Sequence, residues 1–169
     1  FSQAYDYARG YRSPMMAAFI GAAEARFMLR SGQMDRAAEW ALQYEQMEPG
    51  GYHQDYENIT LARIWFAQGK HEQVVILAAQ VSEGAQAAGR IGYVIPAELL
   101  KALAHQAAGE TEAALSALEL ALSLAQPHDF VRLFLDAGQP ILRLLRQAVE
   151  RDVDAEYAAY LLSIATHSD

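Results

Sequence analysis

Cysteine is absent from the 169 residues. Disulfide scaffolds, thiolate zinc sites and thiol nucleophiles go with it. Proline is scarce, at 5 residues, so few positions interrupt a helix. No apolar run approaches the ~18–20 residues that a bilayer crossing needs. No stretch alternates β-branched and polar residues for long enough to read as a strand. Positive charge is in deficit: 13 Lys+Arg against 21 Asp+Glu leave a net charge of −8. That balance argues against a surface that grips nucleic-acid phosphates, which needs clustered cations. The opening Phe1-Ser2-Gln3-Ala4 has neither an initiator Met nor a signal-peptide pattern. The chain is therefore expected to be a piece of a longer, cytoplasmic protein, with no membrane contact.

What is present is helix-forming. Ala and Leu dominate, and apolar residues recur at three- and four-residue spacing. Gly and Pro divide the chain into segments. The pattern predicts helices from Pro14 to about Arg30, with Ser13 as cap, and from Asp35, as cap, to near Glu48. Others span about Gln54 to Gln68, Glu72 to Ala88, Gly92 to Ala108, and Thr111 to just before Gln126. A short segment from Phe130 to Asp136 follows, then helices over about Gln139 to Arg151 and Ala155 to Thr166. Phe130, Leu133 and Phe134 are expected in the core, with Leu142, Leu145, Leu161 and Leu162 along the seam of the last helices. Arg132 is expected to pair with Asp136 one turn on.

The turn glycines Gly32, Gly69 and Gly109 recur at roughly 40 residues, the period of helix-pair repeats. Seven residues before them stand Ala25, Ala62 and Ala102. Five residues after them stand Ala37, Val74 and Ala114. Two helices of one hairpin approach closely only where side chains are short, so these positions mark the contact within each pair. The arrangement resembles the tetratricopeptide pattern. It implies an all-α, right-handed superhelix of stacked antiparallel helix pairs in a single domain over 1–169. Repeats fall at about 13–50, 54–89 and 92–126, with degenerate C-terminal helices over 128–167.

In such a stack the first helices line the concave face. Counting back from each turn glycine brings Phe19, Ala22, Arg26 and Leu29 inward in the first copy. The second copy contributes Tyr56, Ile59, Arg63 and Phe66, and the third Pro96, Leu99, Leu103 and Gln106. The candidate groove for a ligand or partner is Phe19, Arg26, Tyr56, Arg63, Phe66 and Leu103. Arg26 and Arg63 hold the same repeat position. Guanidinium forks there suit carboxylate, phosphate or sugar hydroxyl groups. The alternative is that they pair with acids such as Glu24 and Glu57.

Three stretches are more specific: YHQDYENITLARIWFAQG from Tyr52 to Gly69, AQAAGRIG from Ala85 to Gly92, and ALSLAQPHDFVRLFLDAGQP from Ala121 to Pro140. With YAAYLL from Tyr157 to Leu162, they resemble the helical-repeat region of the large ATP-binding LuxR-type transcriptional regulators, the group typified by the maltose-regulon activator. In that family a signalling ATPase precedes the repeats and a helix-turn-helix follows them. The resemblance implies a non-catalytic segment that takes a small effector or a regulatory protein in its groove. It also implies self-association of the longer protein, and no direct nucleic-acid contact by this segment. The alternative function is a stand-alone tetratricopeptide-like scaffold that holds a peptide or partner protein.

No catalytic, metal or cofactor constellation emerges. GAQAAGRI from Gly84 to Ile91 lacks the Lys and Ser/Thr of a phosphate loop and follows a helix rather than a strand. None of the 5 histidines pairs with another at i,i+3 or i,i+4. Glu110 and Glu112 flank a helix start and read as caps favoured by the dipole. Asn58-Ile59-Thr60 matches a glycosylation sequon but sits inside a predicted helix. Trp40 and Trp65 read as packing residues.

Overall fold

A computed structural model describes residues 14–47 and 54–166. Among the described residues, 84% are helical and no strand occurs, so the class is all-α. The helices are α1 (Pro14–Arg30), α2 (Met34–Glu45), α3 (Asp55–Ala67), α4 (His71–Ala87), α5 (Ile91–Ala107) and α6 (Thr111–Ala125). A 3-10 turn (Gln126–His128) leads to α7 (Val131–Leu135), α8 (Gln139–Glu150) and α9 (Ala155–Thr166). The expected cap Ser13 lies outside the described residues. The chain forms two compact units, Phe1–Lys70 and His71–Asp169.

The turn glycines act as expected. Gly32, Gly69, Gly89 and Gly109 all adopt positive φ, between 69° and 80°. Each carries the same pair of backbone bonds. At the end of α1, Gly32 N–H donates to Leu29 O at 3.3 Å and Gln33 N–H to Met28 O at 2.9 Å. At the end of α5, Gly109 N–H donates to Gln106 O at 3.1 Å and Glu110 N–H to His105 O at 2.9 Å. These bonds satisfy the last carbonyls of each helix and turn the chain sharply.

Helix caps differ from the sequence expectation. Asp35 does not cap α2. Gln33 holds the N-cap position without a side-chain bond, and Asp35 lies in the first turn. Glu110 occupies the N-cap of α6, also without a side-chain cap bond. Its carboxylate instead meets His105 Nδ1 at 2.6 Å. Glu112 pairs with Arg151.

In the first unit α1, α2 and α3 pack against one another. Ala25 and Ala37 are 1% and 0% exposed, which lets the backbones of α1 and α2 approach. Tyr44 hydroxyl donates to Asn58 Oδ1 at 2.9 Å, and Trp65 Nε1 donates to Glu45 Oε1 at 2.7 Å, tying α2 to α3. Trp40 stacks on Tyr44, with ring centroids 5.0 Å apart. Both tryptophans are half-buried and make contacts within this unit.

In the second unit α5 is flanked by α4 and α6 and also touches α8. It is accordingly buried without a polar stripe over residues 94–100. Pro96 sits inside α5 and leaves the carbonyl of Gly92 without its helical donor. Gly92 is exposed, so water can satisfy it. Ala102 and Ala114 are fully buried between α5 and α6. Glu98, 1% exposed, is held by Lys101 Nζ at 2.8 Å from Oε2. The last helices close over α5 and α6. Ile141, Leu144 and Leu145 of α8 and Leu161 of α9 are fully buried. Phe134 is also fully buried and meets Tyr157 edge-on at 6.4 Å. Phe130, Leu133, Leu142 and Leu162 are half-buried. Arg132 reaches Asp136 at 3.9 Å, as the four-residue spacing predicts.

Candidate ligand-binding site

The first unit brings three of the candidate groove residues together. Phe19 on α1 and Tyr56 on α3 hold the same repeat position, and their rings meet at 4.7 Å with a tilt of 33°. Two helical turns onward, the Arg26 guanidinium lies over the Tyr56 ring, 5.0 Å from its centroid. Tyr56 is thus clasped between an aromatic ring and a cation, both from α1. The alternative, a pairing of Arg26 with Glu24, does not occur. Glu24 is drawn to Arg36 of α2 at 3.8 Å, on the far side of the helix.

Beside this ladder a pocket of about 460 Å³ opens, lined by Ala23, Arg26, Phe27, Arg30, Ser31 and Tyr56. Its size falls in the range of small-molecule sites. Small Ala23 leaves the space, Phe27 supplies an apolar wall, and Arg26 and Arg30 supply charge. Arg26 and Arg30 are four residues apart, so both project from one face of α1. The Ser31 hydroxyl is already engaged: it donates to Met28 O at 3.1 Å and accepts from Gln33 Nε2 at 3.0 Å.

The sequence reading missed Ala23, Phe27, Arg30 and Ser31. Arg30 stands in the last turn of α1, where a cation is ordinarily explained by the helix dipole. Its four-residue offset from Arg26 was the available signal. Of the other candidates, Arg63 and Phe66 are half-buried on α3. Leu103 belongs to the second unit and is 6% exposed within its core.

Next to Tyr56 in sequence, Glu57 is buried in the first turn of α3. Burial pushes its carboxyl above the usual range, its own backbone hydrogen bond opposes that, and the Asp55 charge adds to the rise. Among the described residues, no three His, Asp or Glu side chains cluster as metal ligands. No helix among them is long and apolar enough to cross a membrane.

The repeat geometry has a counterpart among known families. Neither curated proteins nor solved structures yield a match. A family model described as the MalT-like TPR region, TPR denoting tetratricopeptide repeats, matches residues 1–151. The match spans all three glycine-turned repeats and the α1–α3 pocket. The chain belongs to the family of MalT-like TPR regions.

Proposed function

We propose that this chain is the effector-sensing and protein-interaction segment of a bacterial-type transcriptional regulator. It acts in the cytoplasm, carries out no chemistry, and receives a small effector or a regulatory protein. The pocket between α1 and α3 carries the reading. It lies where the first helices of successive repeats meet, and aromatic and cationic side chains line it. A ligand seated there touches both helices at once. It therefore favours whichever arrangement presents both, which is how binding biases a larger protein between states.

A thermal-shift screen of sugars, small metabolites and peptides tests the proposal. A ligand at a hundredfold excess over its Kd stabilises the native state by about 2.7 kcal/mol. Phe19→Ala, which removes the ring packed on the pocket residue Tyr56, should reduce the shift of a compound that rests on Tyr56. The exposed Met15, Met16 and Phe27 of α1 favour a second reading, a scaffold for a partner protein. A screen in which no small compound moves the melt, while a stable protein partner shields those side chains, selects that scaffold instead.

A further inference from the structure

We propose that the α1–α3 pocket binds the carboxylate or phosphate group of a small organic anion, gripped by Arg26 and Arg30. The inference rests on the pocket being a ligand site, as above, and adds the chemistry of what enters it.

Among the described residues, the two arginines form a pair without a carboxylate partner. In a chain with 21 acidic residues, no carboxylate of the described residues lies within ion-pair distance of either one. Four other cations do have carboxylate partners. Arg36 has Glu24, Lys101 has Glu98, Arg132 has Asp136 and Arg151 has Glu112. Like charges one helical turn apart repel. The dipole at the end of α1 offsets this for Arg30, in the last turn, and fades before Arg26.

Tyr56 gives Arg26 a second role. A guanidinium held over a ring face keeps its edge N–H groups available, and those are the donors that meet a carboxylate or phosphate in a two-point fork. The ring also limits the freedom of the side chain, so less entropy is lost when the anion arrives. Arg30 is exposed and can swing in from the rim to complete the grip. Phe27, 55% exposed, is an apolar wall for the body of the ligand. A volume of about 460 Å³ suits a small molecule.

Titration calorimetry of the whole chain tests this with benzoate, phenyl phosphate, inorganic phosphate and the uncharged benzamide. The expected result is binding of benzoate or phenyl phosphate, with benzamide at least tenfold weaker. Benzoate alone marks a carboxylate site, and inorganic phosphate alongside phenyl phosphate marks a phosphate site. Arg30→Gln, at an exposed side chain, should weaken binding about tenfold with an unchanged melting temperature. Arg26→Gln should do the same, and Arg26→Lys should fall between, since it keeps charge and loses the fork. Affinity indifferent to Arg30→Gln and Arg26→Lys overturns the proposal, as does binding of no anion. If a neutral compound from the thermal screen still binds in a Phe19-dependent manner, the ligand site survives and only its anionic chemistry fails. A Glu-rich peptide that binds while benzoate and phenyl phosphate do not also overturns it, in favour of a protein partner.

Discussion

Glu57 and Tyr157 are polar side chains that the fold holds away from water. Glu57 has a folded-state pKa raised mainly by burial, so the folded protein prefers the protonated acid. Its favourable contribution is fully present below the unfolded glutamate value of about 4.3. It is lost as pH rises through the higher folded value. Glu57→Gln should therefore melt above the parent at pH 7, with the gap closing on acidification. Melting curves between pH 4 and 8 check this, and a gap independent of pH would deny burial of charge as its cause. Tyr157 is 6% exposed, and its hydroxyl has no hydrogen-bond partner. Burial, then Asp129 and Tyr160, push that phenol upward and keep it neutral. Tyr157→Phe keeps the edge contact with Phe134 and removes the stranded hydroxyl. It should raise stability in urea unfolding by about 1 kcal/mol; a loss would reveal a partner for the oxygen. Neither residue stood out in the sequence, because unpaired burial depends on neighbours distant along the chain. Arg26 was legible there through its repeat position, whereas Arg30 had an ordinary local explanation.

Element bounds were legible in the sequence, and the chemistry of the helix starts was not. The left-handed glycine is required by backbone sterics, so the ends of α1, α3, α4 and α5 could be read to within one or two residues. The residue after each glycine then holds the N-cap position whatever its side chain. Gln33, Arg90 and Glu110 share ψ values of 61°, 64° and 69°, and none makes a side-chain cap bond. A search for Ser, Thr or Asp caps misses such starts, which is why Asp35 was misplaced. The same turn recurs with an aspartate at its left-handed position. Asp152 has φ 58°, its N–H donates to Val149 O at 3.3 Å, and Val153 N–H donates to Ala148 O at 2.9 Å. Gly109→Ala should cost about 1–2 kcal/mol although its new methyl meets nothing within 4 Å, because the cost is conformational. Asp152→Gly should change stability in the opposite direction, and by less, because the unfolded chain also gains freedom. Paired urea unfolding curves measure both.

For the molecule as a whole, the helical-repeat class was legible because the alanines at the hairpin contacts are as buried as the repeat demands. Ala25 and Ala37 in the first unit, and Ala102 and Ala114 in the second, are all at or below 1% exposure. Long-range closure was not legible. Contacts of α8 with α5 and α6, and the Arg151–Glu112 pair 39 residues apart, have no local signature. The pocket falls in between: Tyr56 and Arg26 followed from the repeat period, and Phe27 and Arg30 joined them only in three dimensions.

The corners also govern which edits the chain tolerates. Connectors of three residues, centred on Gly32 or Gly109, set the phase between one rod and the next. A residue inserted within a rod rotates everything beyond it by about 100° about the axis and swings the alanine seam toward water. A residue inserted at a corner is absorbed where it stands. Length differences among related chains should therefore collect at the bends, while the rods keep their count.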